Sequence, residues 1–340
     1  VTLSSSLIAA EEIKKLKSTY HRFFPVDVYF VINKFLTSWS PRAIFLVDSE
    51  IWPNLISLAK KKKIPIVLIN ARITKKSFLR WSYFINFGRK IFNSFELCLS
   101  SNNETVDYLK KLNAKNIFYE GNLKLINNLN QNEIKNLNEE VLNKRRFWFA
   151  ASTHRGEELF CLKTHLIIKK KLKDVITIIA PRHINRVNEI KNLCTKFNLS
   201  YQILDKENFI NIDKEIIILN SFGILKNYFK YAKSVFIGKS TIKKLQEDSG
   251  QNPLEAARLK CKIYHGPYVN NFKEIYEVLE KNNISIKIKD HKDLSICLSR
   301  DLDIDKKKDE RISKVIDDLG NKILVDTLKH INNFILNENK

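Results

Sequence analysis

The chain has 340 residues, of which 44% are hydrophobic and 28% charged, a balance that excludes a disordered polar polymer and predicts folded domains. Its formal net charge is +22, from 59 Lys and Arg residues against 37 Asp and Glu residues. No uninterrupted apolar run could span a bilayer and no signal peptide opens the chain, so we expect a soluble or peripheral protein of two ordinary domains.

The five cysteines predict a reducing environment rather than a disulfide framework. They stand at positions 98, 161, 194, 261 and 297, without a C-x-x-C pair or a metal-ligand spacing with histidine. We therefore expect reduced, mostly buried thiols in a cytosolic compartment, and neither a metal ion nor another cofactor.

The excess of positive charge is compatible with nucleic acid, an anionic membrane face or a phosphorylated substrate. The lysines are scattered, and Lys, Asn and Ile are all abundant, as an AT-rich genome would produce without selection for binding. The sequence also lacks a concentrated arginine stripe and stacking aromatic signatures. We therefore expect no nucleic acid partner and assign most of the charge to solvated surface.

Short β-branched segments alternate with helical stretches, which is typical of α/β domains built on parallel sheets. The sequence predicts two Rossmann-like domains, residues 1–126 and 146–320, with a polar linker at 127–145 and a C-terminal helix at 321–340. The predicted strands are Ala43–Val47, Ile66–Ile69, Leu97–Leu99, Ile117–Tyr119, Phe147–Ala150, Val175–Ala180, Ile216–Leu219, Ser234–Ile237, Lys262–His265 and Ile284–Ile288.

Polar, glycine and proline motifs follow many of these strands. In open α/β sheets, ligands bind at the carboxyl ends of the strands, so we expect these loops to converge on a cleft between the domains. The motifs are Asp48-Ser49-Glu50, Asn70-Ala71-Arg72, Gly121-Asn122-Leu123-Lys124, Ser152-Thr153-His154, Pro181-Arg182-His183 and Gly266-Pro267-Tyr268.

The stretch from Ser234 to Glu255 has a nucleotide-binding order: a buried strand, a glycine turn at Gly238 and a helix start after Gly250. Asn252 is placed as the N-cap, with Pro253 in the first turn. Such a helix start attracts phosphate through its free N–H groups and dipole. Glu255 either accepts hydrogen bonds from ribose hydroxyls or closes a capping box, and this stretch alone leaves both open.

Taken together, the motifs closely resemble those of the 3-deoxy-D-manno-octulosonic acid (Kdo) transferases of Gram-negative lipopolysaccharide synthesis. The resemblance covers nearly the whole chain, and so many motifs in the family's order and spacing are highly specific. The matching segments are Asp48–Asn54, Asn70–Arg72, Gly121–Lys124, Ser152–His154 with Gly156–Glu158, Pro181–His183, Gly250–Ala257, and Gly266-Pro267 with Asn271-Phe272.

The resemblance implies an inverting, metal-independent GT-B glycosyltransferase with an interdomain cleft. It implies transfer of Kdo from CMP-Kdo to the lipid A precursor, lipid IVA, at the cytoplasmic face of the inner membrane. The protein would be peripheral or N-terminally anchored. Because the departing phosphate gains charge, an enzyme without a metal needs cations and helix N-termini at that phosphate.

The resemblance also implies a CMP-binding set in the second domain, in which Arg182 gives the phosphate a planar charge and Glu255 binds the ribose. His183 is expected to contact the residues of this set rather than CMP itself. Ile224, Lys239 and Tyr268 replace the family's acidic residue, second glycine and histidine, so the roles of those three positions stay open. The implied set is Pro181, Arg182, Phe222, Gly223, Ile224, Asn252, Pro253, Leu254 and Glu255.

In the first domain the resemblance implies two transition-state stabilisers, Asp48 and Lys124. A lysine suits both the leaving phosphate and the carboxylate of Kdo. Helix capping ahead of Pro53 is an alternative role for Asp48 and for Glu50.

The family's general base is a glutamate after the very first strand, and this motif order places it upstream of Val1. The chain contains no methionine, and its residues 1–6 are typical of a strand entering a loop. We therefore expect a fragment without the general base, in which nucleotide binding survives while transfer is largely lost.

Two further segments have an interpretation. The segment Lys75–Phe84 mixes basic and aromatic residues and suits either an interfacial helix or core packing. The run Asp301–Asp305 resembles a metal-binding D-x-D, but we expect a solvated loop there.

The alternatives to Kdo transfer are a GT-B enzyme with another nucleotide sugar, a non-catalytic nucleotide-binding fragment, and a basic nucleic-acid-binding protein.

Overall fold

The computed structural model describes residues 2–4, 18–126, 134–303 and 308–338. The chain divides into two compact units, one formed by Val1–Leu123 with Ile323–Lys340 and the other by Lys124–Lys322. No helix among the described residues is long and apolar enough to cross a membrane.

The first unit is built on a parallel sheet in the order β3-β4-β5-β6, and a separate parallel pair joins β1 to β2. Its strands are β1 (Thr2–Ser4), β2 (His21–Phe23), β3 (Ile44–Val47), β4 (Ile66–Ala71), β5 (Leu97–Ser100) and β6 (Ile117–Tyr119). Its helices are α1 (Tyr29–Trp39), α2 (Pro53–Lys61), α3 (Lys75–Tyr83), α4 (Ile85–Phe92) and α5 (Asn103–Lys111).

The second unit is built on a seven-stranded sheet in the order β13-β12-β11-β7-β8-β10-β9, in which every pairing is parallel. Its strands are β7 (Phe147–Thr153), β8 (Ile176–Pro181), β9 (Tyr201–Leu204), β10 (Ile216–Leu219), β11 (Ser234–Ile237), β12 (Lys262–His265) and β13 (Ser285–Lys287). Its helices are α6 (Glu139–Lys144), α7 (Glu157–Ile168), α8 (Val187–Lys196), α9 (Leu225–Phe229), α10 (Leu254–Arg258), α11 (Lys273–Lys281) and α12 (His291–Asp303), and α13 (Arg311–Glu338) begins in it.

The strand order of the second unit creates a topological switch point. The chain moves from β7 outward to β8 and to the edge strand β9, places β10 between these two, and then returns to place β11 on the other side of β7. Loops that leave neighbouring strands in opposite directions at such a point open a crevice at the carboxyl ends of the strands. The loops after β7 and β11 are therefore the first place to look for a ligand site in this unit.

Each predicted strand is present, and its ends lie within a few residues of the prediction. Two strands were missed by the pattern. Within the described part of the chain, β9 is a sheet edge that pairs with β10 alone, and β2 is a three-residue strand that pairs with β1 alone. Apart from the buried Leu204, their side chains are half-buried or exposed, and the two strands lack the continuous apolar run that marks a central strand of a parallel sheet.

The linker and the C-terminal region are partly described. Residues 127–133 of the predicted linker lie outside the described residues, and its polar helix is α6, whose Leu142 is buried. The last helix, α13, begins at Arg311, where Asp309 accepts the Arg311 N–H at 3.0 Å. From Ile323 onward this helix belongs to the first unit, where Ile331 and Phe334 pack against β4 and β5.

The prediction of a solvated loop at Asp301–Asp305 was wrong for its first part. Residues 301–303 end helix α12, and Asp301 is only 5% exposed. Its carboxylate accepts hydrogen bonds from the Ser234 hydroxyl at 2.7 Å, the Tyr264 hydroxyl at 2.5 Å and the Lys262 ammonium at 3.0 Å. Residues 304–307 lie outside the described residues.

Helix α2 receives its N-terminal cap from a distant loop. The two carboxylate oxygens of Asp27 accept the N–H groups of Asn54 at 3.0 Å and Leu55 at 2.9 Å. The Asn54 side chain donates back to the Asp27 carbonyl at 2.7 Å. Asp27 therefore satisfies N–H groups that a helix cannot pair by itself.

We predict that Asp27→Ala lowers the free energy of unfolding of the first unit by about 1–2 kcal/mol, because it removes this cap. Urea denaturation measures the change. Asp107→Ala, at an exposed position on α5, serves as the matched control and is expected to change stability little. Equal stabilities of the two variants would contradict the capping role.

Candidate functional site

Glu157 joins the loops that follow β7 and β11 at the switch point. Its side chain is 0% exposed, at the first residue of α7. One carboxylate oxygen accepts the N–H groups of His154 at 2.9 Å and Lys239 at 2.6 Å. The other accepts the N–H of Ser240 at 2.9 Å, and the N–H and hydroxyl of Thr241 at 3.0 and 2.9 Å. These bonds to a charged acceptor offset the cost of burying it.

Gly238 allows the two loops to approach each other. A Cβ atom at this position would lie 2.5 Å from the Ser152 carbonyl oxygen, 2.7 Å from the Thr153 Cα and 2.8 Å from a Glu157 carboxylate oxygen. The backbone contacts leave no space for a side chain. The glycine at the predicted turn is therefore required for the loops after β7 and β11 to pack against each other.

The N–H groups of the turn after β11 point to Glu157. Lys239 has a positive φ of 58°, and its N–H together with those of Ser240 and Thr241 surrounds the carboxylate. In a glycine-rich phosphate loop such N–H groups face the ligand. Here they are occupied by a side chain of the protein itself, so an anion at this edge would have to be bound by side chains.

Cationic and imidazole side chains surround the same edge. The rings of His154 and His183 lie 5.9 Å apart in an edge-to-face arrangement. Burial lowers the pKa of His154, and Lys239 and His183 add to this effect, while the Ser152 carbonyl and Glu157 oppose it. Arg182 is exposed and follows β8.

The Pro181-Arg182 segment is fixed by the sheet. Pro181 is buried as the last residue of β8, and the Arg182 N–H donates to the Thr153 carbonyl at 2.9 Å. This bond continues the β7–β8 pairing beyond the strand end and leaves the guanidinium at the surface.

The three residues of the turn Phe222-Gly223-Ile224 differ in their exposure to solvent. Phe222 is 62% exposed, Gly223 has a positive φ of 75° with open space around it, and Ile224 is 6% exposed at the start of α9. Only Phe222 and the backbone of this turn are accessible to a ligand. The Ile224 side chain belongs to the core, which explains why an apolar residue stands at this position.

The segment Asn252–Glu255 begins the short helix α10. The Asn252 side-chain oxygen accepts the N–H of Leu254 at 3.0 Å, Pro253 and Leu254 are buried, and Glu255 is exposed. Among the described residues the Glu255 carboxylate makes no hydrogen bond to the Asn252 N–H, so the capping box is not formed. The helix has only five residues, and its dipole is correspondingly small.

The first unit holds Asp48 through a buried asparagine. Asp48 follows β3 and Asn70 lies near the end of β4, with positive φ values of 60° and 52°. The Asn70 amide donates to the Asp48 carboxylate. Asn70 is 5% exposed, and its side-chain oxygen accepts the N–H of Leu123 at 2.9 Å. The Lys124 side chain, at the next residue, is exposed.

The capping alternative for Asp48 and Glu50 was wrong. Asp27 caps helix α2, as described above, and a Glu50 carboxylate oxygen instead accepts the Trp52 indole N–H at 2.8 Å. The Trp52 ring stacks on Phe24 at 4.7 Å. Glu50 therefore orients an aromatic side chain in front of the helix.

The structure identifies three residues whose roles the motifs did not reveal: Glu157, Asn70 and His154. All three lie inside predicted motifs, but a motif gives no sign of which side chain turns inward. The burial of Glu157, which marks its role, is visible only in the structure. Among the described residues no group of three or more His, Cys, Asp or Glu side chains is arranged to hold a metal ion.

Comparison with known proteins gives a consistent result. Residues 1–127 match the family model described as 3-deoxy-D-manno-octulosonic-acid transferase (kdotransferase). The chain is 29% identical to the 3-deoxy-D-manno-octulosonic acid transferase of Rickettsia felis over 296 residues, which cover 86% of this chain and 62% of the relative. It is 29% identical to that of Rickettsia prowazekii over 342 residues, or 98% of this chain and 72% of the relative. The chain thus spans less than two thirds of the length of the Rickettsia felis relative.

Solved structures share the fold. A UDP-GlcNAc 2-epimerase from Neisseria meningitidis bound to UDP-GlcNAc matches with a TM-score of 0.60 and 12% identity, covering 96% of this chain and 90% of its own. A putative UDP-N-acetylglucosamine 2-epimerase from Listeria monocytogenes matches with a TM-score of 0.58 and 14% identity, covering 97% and 88%. The predicted α/β fold of two Rossmann-like domains, the GT-B fold, is confirmed.

We predict that Glu157→Gln destabilises the second unit by about 3 kcal/mol or more, because hydrogen bonds to a charged group contribute about 1.5–3 kcal/mol each. In the glutamine variant, the carboxamide NH₂ group also faces backbone N–H groups, and it cannot accept hydrogen bonds from them. Thermal and urea unfolding measure the loss. The control is Glu277→Gln, whose side chain is 62% exposed, and a similarly small effect of both changes would refute the role assigned to Glu157.

Proposed function

We propose that this chain belongs to the Kdo transferase family and is a glycosyltransferase that moves Kdo from CMP-Kdo to a lipid acceptor in lipopolysaccharide biosynthesis. The observation that carries the proposal is the similarity to 3-deoxy-D-manno-octulosonic acid transferases, which covers 98% of the chain for the Rickettsia prowazekii relative and residues 1–127 for the family model. The Arg182, His154 and His183 side chains at the carboxyl edge of the second sheet support it. In detail we propose lipid IVA as the acceptor and inversion at the anomeric carbon.

We assign CMP binding to the carboxyl edge of the second sheet. Arg182 and Glu255 are both exposed there, which supports contact of the guanidinium with the phosphate and of the carboxylate with the ribose. Phe222 and the backbone at Gly223 are available to the cytosine base. The buried members of the set, Pro181, Ile224, Pro253 and Leu254, would shape these loops rather than touch the nucleotide.

The proposed reaction is a direct displacement. The acceptor hydroxyl oxygen attacks the anomeric carbon of Kdo while the bond from that carbon to the phosphate oxygen breaks. The electron pair of that bond leaves with CMP, and the hydroxyl proton passes to water. Attack on the face opposite to the leaving group inverts the configuration. Lys124 would stabilise the charge that develops on the phosphate, and Asp48, held by Asn70, would stabilise the electron-poor sugar.

The acceptor is a lipid, and we propose that the first unit meets it at the cytoplasmic face of the inner membrane. The residues Leu79, Tyr83, Phe84 and Phe87, here called the apolar rim, are 50%, 82%, 74% and 48% exposed. Lys75, Lys76 and Arg80 on α3, the helix that carries Leu79 and Tyr83, are exposed as well. Apolar side chains beside cations suit an interface with anionic lipid.

Core packing, the alternative for this segment, accounts for its other aromatic residues. Phe78 stacks on Tyr108 at 4.3 Å, and Trp81 contacts Phe92 edge-on at 5.4 Å. The segment therefore divides into two inward aromatic side chains and two outward ones, Tyr83 and Phe84. This division supports an interfacial role for the outward pair.

The donor assignment predicts that the chain binds CMP and that Glu255→Ala weakens binding at least about tenfold, since a hydrogen bond to a charged group is worth more than one factor of ten. Calorimetric titration measures the affinity, with Glu277→Ala as an exposed control on α11. Incubation with CMP-Kdo and lipid IVA, followed by mass spectrometry, tests transfer directly.

A folded chain that binds no CMP would overturn the donor assignment. Unchanged CMP affinity in Glu255→Ala would remove only the ribose contact. Transfer of Kdo to an acceptor other than lipid IVA would retain the enzyme class and replace the acceptor.

The lipid assignment predicts that Tyr83→Ser with Phe84→Ser reduces the fraction of protein that sediments with phosphatidylglycerol vesicles, because burial of each aromatic side chain contributes about 1.5–3 kcal/mol. Phe209→Ser, which removes a 68% exposed aromatic residue from the second unit, is the control. Added salt should also weaken binding, since lysines and arginine contribute. Equal sedimentation of the double variant and the control would refute the apolar rim as a lipid contact.

A further inference from the structure

The anion site of the second unit has to be built from side chains. The N–H groups of Lys239, Ser240 and Thr241, and that of His154, are all occupied by the Glu157 carboxylate. Helix α10, with five residues, adds little dipole. A ligand with a negative charge at the switch point must therefore be neutralised by the basic side chains that these loops carry.

His154 and Lys239 are brought together by a single oxygen atom. Both of their backbone N–H groups donate to the same oxygen of Glu157, at 2.9 and 2.6 Å, which fixes the two residues side by side. The ring of His183 lies 5.9 Å from the ring of His154. Three basic side chains from three loops, which follow β7, β8 and β11, thus meet at one edge.

The hydrogen bonding of His154 leaves one ring nitrogen for a ligand. Its Nδ1 lies 3.1 Å from the Ser152 carbonyl oxygen, which can only accept, so Nδ1 carries a proton. The other nitrogen, Nε2, then gains a proton when the ring becomes charged. In the charged state it is a donor suited to a phosphate oxygen.

We propose that His154, His183 and Lys239 form the subsite for the phosphate diester of the sugar nucleotide, and that His154 takes up a proton when the diester binds. The inference rests on the proposed donor and adds to it three phosphate ligands beside Arg182. It assigns to these side chains the role that backbone N–H groups play in a glycine-rich phosphate loop.

The charges around His154 set the direction of the pH effect. Burial, Lys239 and His183 lower its pKa in the free protein, against the opposing influence of the Ser152 carbonyl and Glu157. A bound anion favours the imidazolium and raises the pKa. The gain in affinity is therefore complete below the pKa of the free protein and is lost above the pKa of the complex.

The test compares cytidine with cytidine 5′-methyl phosphate, a diester whose single charge does not titrate, whereas CMP itself titrates near about pH 6. Calorimetry at about pH 5.5 and about pH 8 gives the ratio of the two dissociation constants, from which base and ribose contacts cancel. For the unmodified chain we expect a preference for the diester that grows about tenfold toward the lower pH.

Substitutions assign the effect to the subsite. His154→Ala should flatten the pH dependence, whereas His183→Ala and Lys239→Ala should lower the preference for the diester. His291→Ala, at the start of α12 in the same unit, is the matched control and should retain the pH dependence. Circular dichroism checks that each variant is folded. His183→Ala tests the phosphate contact separately from the proton uptake, because His183 is exposed and its substitution leaves the Glu157 contacts intact.

The outcomes separate this inference from the donor assignment. If cytidine binds but the diester binds no better at either pH, the subsite is refuted while nucleoside binding stands. A pH-dependent preference that persists in His154→Ala, or a preference for the diester that is unchanged in His183→Ala, would also refute it. If neither ligand binds to the folded, unmodified chain, the donor assignment fails and the subsite fails with it.

Discussion

The buried carboxylate of Glu157 is the constraint on which the ligand edge of the second unit depends. It is a charged group that is 0% exposed, and the backbone of two loops supplies its hydrogen bonds. Because an unpaired buried charge is very costly, the loops after β7 and β11 have one stable arrangement around it. Gly238 permits that arrangement, since a side chain there would meet the backbone of the facing loop.

In the first unit a buried neutral side chain, rather than a buried charge, fixes the loops. Asn70, which is 5% exposed, donates to Asp48 and accepts from the backbone of Leu123, so the ends of three segments are joined through one amide. In both units an inward polar side chain fixes the loops, and the outward side chains remain available for ligands. Arg182, Glu255 and Lys124 are all exposed. This division separates the residues that fix the loops from those proposed to act on substrate.

Prediction from sequence worked where local pattern decides structure. The central strands of both sheets are buried along their length, and their runs of β-branched residues identified them. It failed where a contact distant in sequence decides. Asp301 was expected in a solvated loop, but Ser234, Lys262 and Tyr264, more than thirty residues away, draw its carboxylate into the core. Likewise Asp27, rather than Glu50, caps helix α2.

By itself the sequence determined the fold class, the strands that form the sheets and the resemblance to Kdo transferases, because periodicity and motif order are properties of the chain. Only the tertiary structure decided which motif residues turn inward. Glu157 and Glu255 are both glutamates in helix-start motifs, yet one is enclosed by four N–H groups and the other faces solvent. The difference arises because the loops after β7 and β11 meet only when their strands lie side by side in the sheet.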